Sequence, residues 1–146
     1  MRKYKIKEGR ILVIVGLAHV CFTVSDLEKS LEFYKDKLGF KFCFDFVNDK
    51  GDRFGVYLHI GGRNFIELFI GKPEPPDQKQ SYRHFCLEVG DIQETVSKLR
   101  SNGVDVSEVK MGSDNSWQAW LSDPDGNRIE LHQYTKESKQ NVGFVK

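Results

Sequence analysis

The chain reads as an α+β protein built from two tandem copies of one βαβββ module. Three observations predict this. A strand-like segment recurs at an offset of 65, with His19, Cys21, Val24 and Asp26 matched by His84, Cys86, Val89 and Asp91. An apolar helical stripe follows each copy, and Leu27, Leu31 and Tyr34 map onto Ile92, Val96 and Leu99 at that same offset. A third match closes each half, where Asn64 to Leu68 (Asn-Phe-Ile-Glu-Leu) resembles Asn127 to Leu131 (Asn-Arg-Ile-Glu-Leu), now at an offset of 63. Such self-similarity marks a duplicated structural unit.

Each element follows in order. The i, i+4, i+7 spacing of the stripes is one face of an α-helix. Ser25 with Glu28, and Asp91 with Glu94, have capping-box spacing, and Gly39 and Gly103 supply stops. A hairpin precedes each final strand. In the first half residues 54–60 run into Gly61-Gly62, a two-residue turn signal. In the second, residues 117–122 run into Asp123-Pro124-Asp125-Gly126. The modules span about 17–72 and 82–135, within one domain of 1–146. Residues 72–80, with Pro73, Pro75 and Pro76, read as the linker. The tail from Lys136 is polar and aperiodic, and is expected to be mobile.

Composition bounds the function. The 146 residues are 39% hydrophobic and 29% charged, enough for a packed core. The net charge of +1 gives no electrostatic reason for a nucleic-acid or anionic-membrane partner. Cys21, Cys43 and Cys86 form neither a disulfide framework nor a CxxC pair, which suits a reducing cytoplasm. A basic start followed by Ile11, Leu12, Val13, Ile14 and Val15 looks like a signal peptide. The run is short and β-branched, and cleavage there would cut into the repeat, so a buried strand is expected instead. No apolar run is long enough to span a bilayer.

The repeat also makes a site. His19 opens the first strand of one half and Glu67 lies in its last strand; His84 and Glu130 hold the same places in the other. Two modules related by a pseudo-twofold would bring two imidazoles and two carboxylates together. That is a mixed N/O donor set for Zn, Ni, Co, Mn or Fe, with positions left open for a substrate. A lone strand histidine is usually a hydrogen-bonded core residue, but the repeated register makes coincidence much less plausible. Alternation puts Cys21 and Thr23 on the His19 face, and Cys86 and Glu88 on the His84 face. The two cysteines are expected as small hydrophobes near the cavity. His132 shares the Glu130 face and is a candidate for substrate contact. A regular Gly61-Gly62 turn would set Val56 opposite Glu67 and send His59 to the other face. After the second turn, a regular register puts Trp117 and Ala119 beside Glu130, and a one-residue bulge puts Trp120 there.

The chain resembles the vicinal oxygen chelate superfamily, which includes glyoxalase I, over about residues 16–135. The resemblance rests on His19, on the run from Val24 to Tyr34 (Val-Ser-Asp-Leu-Glu-Lys-Ser-Leu-Glu-Phe-Tyr), on Leu38-Gly39-Phe40, and on the stretch from Asp123 to Leu131. It implies a glyoxalase-like fold in which βαβββ modules curl into open half-barrels. It implies one divalent ion per chain, with Ni, Co or Zn first, in the concavity. An aromatic about ten residues before the final Glu often lines such a pocket, which selects Trp120. The His, Glu, His, Glu pattern is similar to bacterial glyoxalase I, whereas related dioxygenases and fosfomycin-modifying enzymes lack a ligand at the place of Glu67. The resemblance therefore implies a lyase or isomerase working by proton transfer on a small α-hydroxycarbonyl substrate, with Glu67 or Glu130 as base. The alternatives it implies are a thiol transferase, an extradiol-type dioxygenase, or a metal-free binding protein. The places of an Arg and an Asn that help hold glutathione are taken by Thr23 and Gly71, so weak turnover of the glutathione hemithioacetal is expected. A homodimer is expected, since each module has an open sheet and one helix to cover it.

Overall fold

The computed structural model describes residues 16–75 and 81–143. The strand expected over residues 11–15 and part of the linker lie outside the described residues. The order is β1 (His19–Val24), α1 (Leu27–Leu31), β2 (Lys41–Val47), β3 (Arg53–Gly61), β4 (Asn64–Ile70), β5 (Phe85–Glu88), α2 (Ile92–Ser101), β6 (Lys110–Met111), β7 (Trp117–Ser122), β8 (Arg128–Gln133) and α3 (Lys139–Gly143). Between α1 and β2 the helix widens into a π-helical segment, Glu32–Lys37. The strands form two four-stranded sheets, ordered β1-β4-β3-β2 and β5-β8-β7-β6. Each sheet pairs its first strand parallel to its last, and the rest antiparallel. These are the two open βαβββ modules that the repeat predicts.

Alternation divides each sheet into two faces. Val56, Leu58, Ile66 and Leu68 of the first, and Ala119, Leu121, Ile129 and Leu131 of the second, are buried with Leu27, Leu31, Ile92, Val96 and Leu99 of the helices. At about 25 cal/mol per Å² of apolar surface removed from water, this packing is the main stabilising term. The opposite faces carry the predicted ligands.

Local signals fixed most boundaries. Asp91 caps α2, accepting from the Glu94 N–H at 2.9 Å. The α1 cap is Asp26, one residue after the expected Ser25; its carboxylate accepts from the Glu28 and Lys29 N–H groups. Asp26 is the residue that repeats as Asp91, so the repeat located the cap better than the box did. Gly39 and Gly103 end the helical segments at φ +80° and +76°, where a side chain would be strained. The tail departs from expectation: Ser138 is fully buried and its hydroxyl lies 2.7 Å from that of Ser116. The Lys139 N–H also donates to the Asp114 carbonyl at 2.8 Å, so short polar contacts order a segment with no apolar period.

The modules touch through the faces that do not carry the predicted ligands. Phe22 packs on Phe85 and Tyr82, with ring centres 5.3 and 5.6 Å apart. Fully buried Tyr34 donates its hydroxyl to Asp123 at 2.8 Å. Asp123 is the first residue of the turn read from sequence, and it also accepts from the Asp125 and Asn127 N–H groups. The two motif residues recognised separately, the helix tyrosine and the turn aspartate, thus bond to each other. Burial and the Asp123 carboxylate push the Tyr34 hydroxyl well above its ordinary pKa, so it stays a donor.

Candidate metal centre

The parallel pairing of first and last strands places each histidine beside its glutamate. Cys21 pairs with Glu67 and Cys86 with Glu130, so the histidine two residues earlier sits diagonal to the carboxylate on the same face. His19 Nε2 lies 3.3 Å from Glu67 Oε2, and His84 Nε2 lies 3.1 Å from Glu130 Oε2. The two pairs are near copies. With ligand bonds of about 2.1 Å, donors 3.1–3.3 Å apart subtend roughly 100° at a shared ion. That angle suits tetrahedral and octahedral coordination alike, so each pair fits half of a divalent-ion site. The histidine side chains remain 41% and 37% exposed, open to further ligands.

Within one chain the halves stay apart. Among the described residues, the one group of three ligating side chains with donors all within 4.8 Å is Cys86, Glu130 and His132. The four expected ligands are therefore held as two pairs, on two sheets.

The strand next to each glutamate supplies an aromatic ring. Trp120 pairs with Glu130, as the family pattern suggested, and meets His84 edge-on with ring centres 4.9 Å apart. The Arg128 guanidinium lies over the indole at 4.5 Å. Tyr57 is the equivalent in the first half. It pairs with Glu67, and its hydroxyl lies 3.4 Å from His19 Nδ1. Sequence reasoning missed Tyr57, although an offset of 63 from Trp120 points to it. The miss came from register. The chain shifts between His59 and Gly61, so Tyr57 replaces the expected Val56 opposite Glu67. His59 consequently shares the Glu67 face, contrary to expectation, where its Nε2 lies 3.0 Å from the Gly62 carbonyl.

The remaining predicted residues fall as follows. Thr23 is exposed on the His19 face, and a Cβ added to Gly71 would come within 2.7 Å of its methyl group. Those two positions, where glutathione-binding residues were sought, pack on each other. His132 is 6% exposed, with Nδ1 3.1 Å from Glu130 Oε1 and Nε2 3.6 Å from Asp114 Oδ2. Gln140 donates to Asp114 and holds its carboxyl below the usual range. Neither Asp114 nor Gln140 carries any motif that would mark it in the sequence. Cys21 and Cys86 stand beside the glutamates. Desolvation against the sheet, then the Glu130 charge, push the Cys86 thiol up to about 12, and desolvation with Glu67 raises that of Cys21. Both are therefore protonated thiols at neutral pH, and both are exposed rather than packed as apolar fillers. A cavity of about 950 Å³ runs between the modules, with Val20 and Phe65 on one side and His84, Cys86 and His132 on the other.

Comparison with known proteins agrees with this fold. The metallothiol transferase FosB of Staphylococcus epidermidis is 32% identical over 135 residues, covering 86% of this chain and 87% of that one. The antibiotic binding protein TnmS3 of Streptomyces sp. CB03234 superposes with a TM-score of 0.69 at 30% identity, over 84% of this chain and 98% of that one. The lactoylglutathione lyase of Agrobacterium tumefaciens has the same fold, with a TM-score of 0.63 at 18% identity over 83% and 95% of the two chains. The model of the Glyoxalase/Bleomycin resistance protein/Dioxygenase superfamily matches residues 16–131, which takes in both modules and all four histidine and glutamate positions, and the chain belongs to that superfamily.

Proposed function

We propose that the chain is a metal-dependent enzyme that moves a proton on a small chelating α-hydroxycarbonyl substrate, in the manner of glyoxalase I. The observation that carries this is the pair of His–Glu couples, with N···O distances of 3.3 and 3.1 Å at equivalent places on two sheets. His19, Glu67, His84 and Glu130 are the proposed ligands of one divalent ion, with Ni, Co or Zn favoured. The modules of one chain touch through the faces opposite these residues, which favours a homodimer in which each site joins the first module of one chain to the second module of its partner.

A divalent ion bound there would supply Lewis-acid stabilisation of the negative charge that develops on a chelated oxygen as the adjacent carbon loses its proton. Glu67 or Glu130 accepts that proton at a carboxylate oxygen and returns it to the neighbouring carbon. Thr23 and Trp120 line the substrate side, and the close packing of Thr23 on Gly71 supports weak use of glutathione.

Thiol transfer is the second reading, favoured by the 32% identity to the FosB of Staphylococcus epidermidis. One experiment separates the two. Apo-protein is loaded in turn with Ni, Co, Zn and Mn, then given dihydroxyacetone in D₂O, the methylglyoxal–glutathione mixture, or a thiol with an electrophilic epoxide. Metal-dependent deuterium exchange with little lactoylglutathione is expected. Thiol consumption without exchange would replace proton transfer with thiol transfer. A protein that takes up none of these ions at micromolar concentration would overturn the enzyme reading.

A further inference from the structure

The two glutamates are equivalent in sequence but are held differently. Both Glu130 oxygens are engaged: Oε2 lies 3.1 Å from His84 Nε2, and Oε1 lies 3.1 Å from His132 Nδ1. An ionised carboxylate only accepts hydrogen bonds, so His132 Nδ1 must carry the proton of that contact. The ring is then backed by a second carboxylate. Asp114 Oδ2 lies 3.6 Å from His132 Nε2, an atom that is buried and has no hydrogen-bond partner. Asp114 is itself fixed, accepting from the Gln140 amide at 2.5 Å and from the Ser116 N–H at 3.2 Å. Glu130 and His132 are 7% and 6% exposed, so water cannot substitute freely for these contacts. In the first module the position equivalent to His132, at an offset of 63, is Phe69. Its ring packs on Phe46 and Phe54 and has no N–H to give Glu67.

We propose that His132 is a positioning residue for Glu130. Its Nδ1–H occupies Oε1 and presents Oε2 alone beside His84 Nε2, while Asp114, held by Gln140 and Ser116, lies behind the ring at 3.6 Å from Nε2, beyond hydrogen-bond reach. The proposal rests on the metal-site reading above. It gives the site one carboxylate locked as a single-oxygen donor and one, Glu67, without that lock. It also turns the chemistry of His132 toward the carboxylate, where substrate contact was first expected of it. Groups that orient ligands from behind commonly change metal affinity 10–100-fold when removed.

The test is Co(II) titration of the full-length apo-protein, read by affinity and by the visible absorption of the bound ion. His132→Phe copies the residue of the other module, and His132→Asn keeps a donor near the position of Nδ1. His132→Phe should bind Co(II) about 10–100-fold more weakly, with an altered visible spectrum, and His132→Asn should stay within about threefold of wild type. A role in folding alone would not move the spectrum of bound cobalt or be rescued by asparagine. If His132→Phe fails to fold by circular dichroism, His132→Leu removes the same donor with a smaller side chain and should weaken binding by the same factor of about 10–100. Wild-type affinity and spectrum in these variants would overturn the positioning role while leaving the metal site intact. No Co(II) uptake by the wild type would remove the metal reading and this proposal together.

Discussion

The first module lines its ligand face with aromatic rings, and the second lines the same face with polar groups. Around Glu67 stand Phe44, Tyr57 and Phe65, with Tyr57 stacked between the two phenylalanines at 4.9 and 5.2 Å, and Phe69 beyond. Around Glu130 stand Trp120, Gln118, His132 and Asp114. The backbone, the strand order and the His–Glu couple are common to both. Duplication thus preserves the fold and the His–Glu couple, while the two walls differ.

The largest test of this comparison strikes the shared part. His84→Ala should weaken divalent-metal binding on the order of 100-fold or more, beyond the range typical of outer contacts. Glu67→Gln should cost only about tenfold, because its amide keeps an oxygen donor. Competition with a chromogenic chelator measures both. Equal losses would show that the two couples contribute alike and that Glu67 has no special freedom.

A smaller effect concerns the bond between modules, which exists in one direction only. Tyr34 and Asp123 are matched by Leu99 and Ile60, which cannot repeat it. Tyr34→Phe deletes a buried donor to a charged acceptor, although the Asn127 side chain still donates to the same oxygen at 2.9 Å. The expected loss is about 1.5 kcal/mol, or a fall in Tm of about 4 °C, by thermal denaturation. An unchanged Tm would mean that Asn127 alone satisfies Asp123.

The smallest effect separates the three thiols. All three thiols are exposed, but Cys21 and Cys86 stand beside the glutamates and have raised pKa values, whereas Cys43 lies on strand β2. A disulfide reagent at pH 8 should label Cys43 first, with Cys86, at about 12, the slowest. Labelling of Cys86 at the Cys43 rate would show that desolvation and the Glu130 charge do not raise its thiol as described.

The sequence made the modules, the helices and the His–Glu couples legible because each rests on a period or an offset that is visible without coordinates. Trp120 beside Glu130 needed the family pattern, since periodicity left two registers open. What stayed hidden depends on single-residue geometry. The shift after His59 moved Tyr57 into place beside Glu67, and no residue type announces such a bulge at Ile60. Asp114 lies near His132 from a loop, and Gln140 holds Asp114 from a short helix, elements whose contacts are side-chain bonds without spacing rules. The tail looked aperiodic because hydroxyls and amides order it, and such bonds leave no hydrophobic pattern.

The bond from Tyr34 to Asp123 joins residues 89 apart in the chain. Asp123 is held by Asn127 within its own module, but the Tyr34 hydroxyl meets this acceptor only when both modules have been synthesised and brought together. During synthesis the first module emerges with a tyrosine hydroxyl waiting for an acceptor that the ribosome has yet to make. Closing so long a loop is slow compared with local structure. The duplicated chain should therefore fold and unfold as one cooperative unit rather than as two beads. A cut between the modules should leave two fragments that each hold only half of this lock.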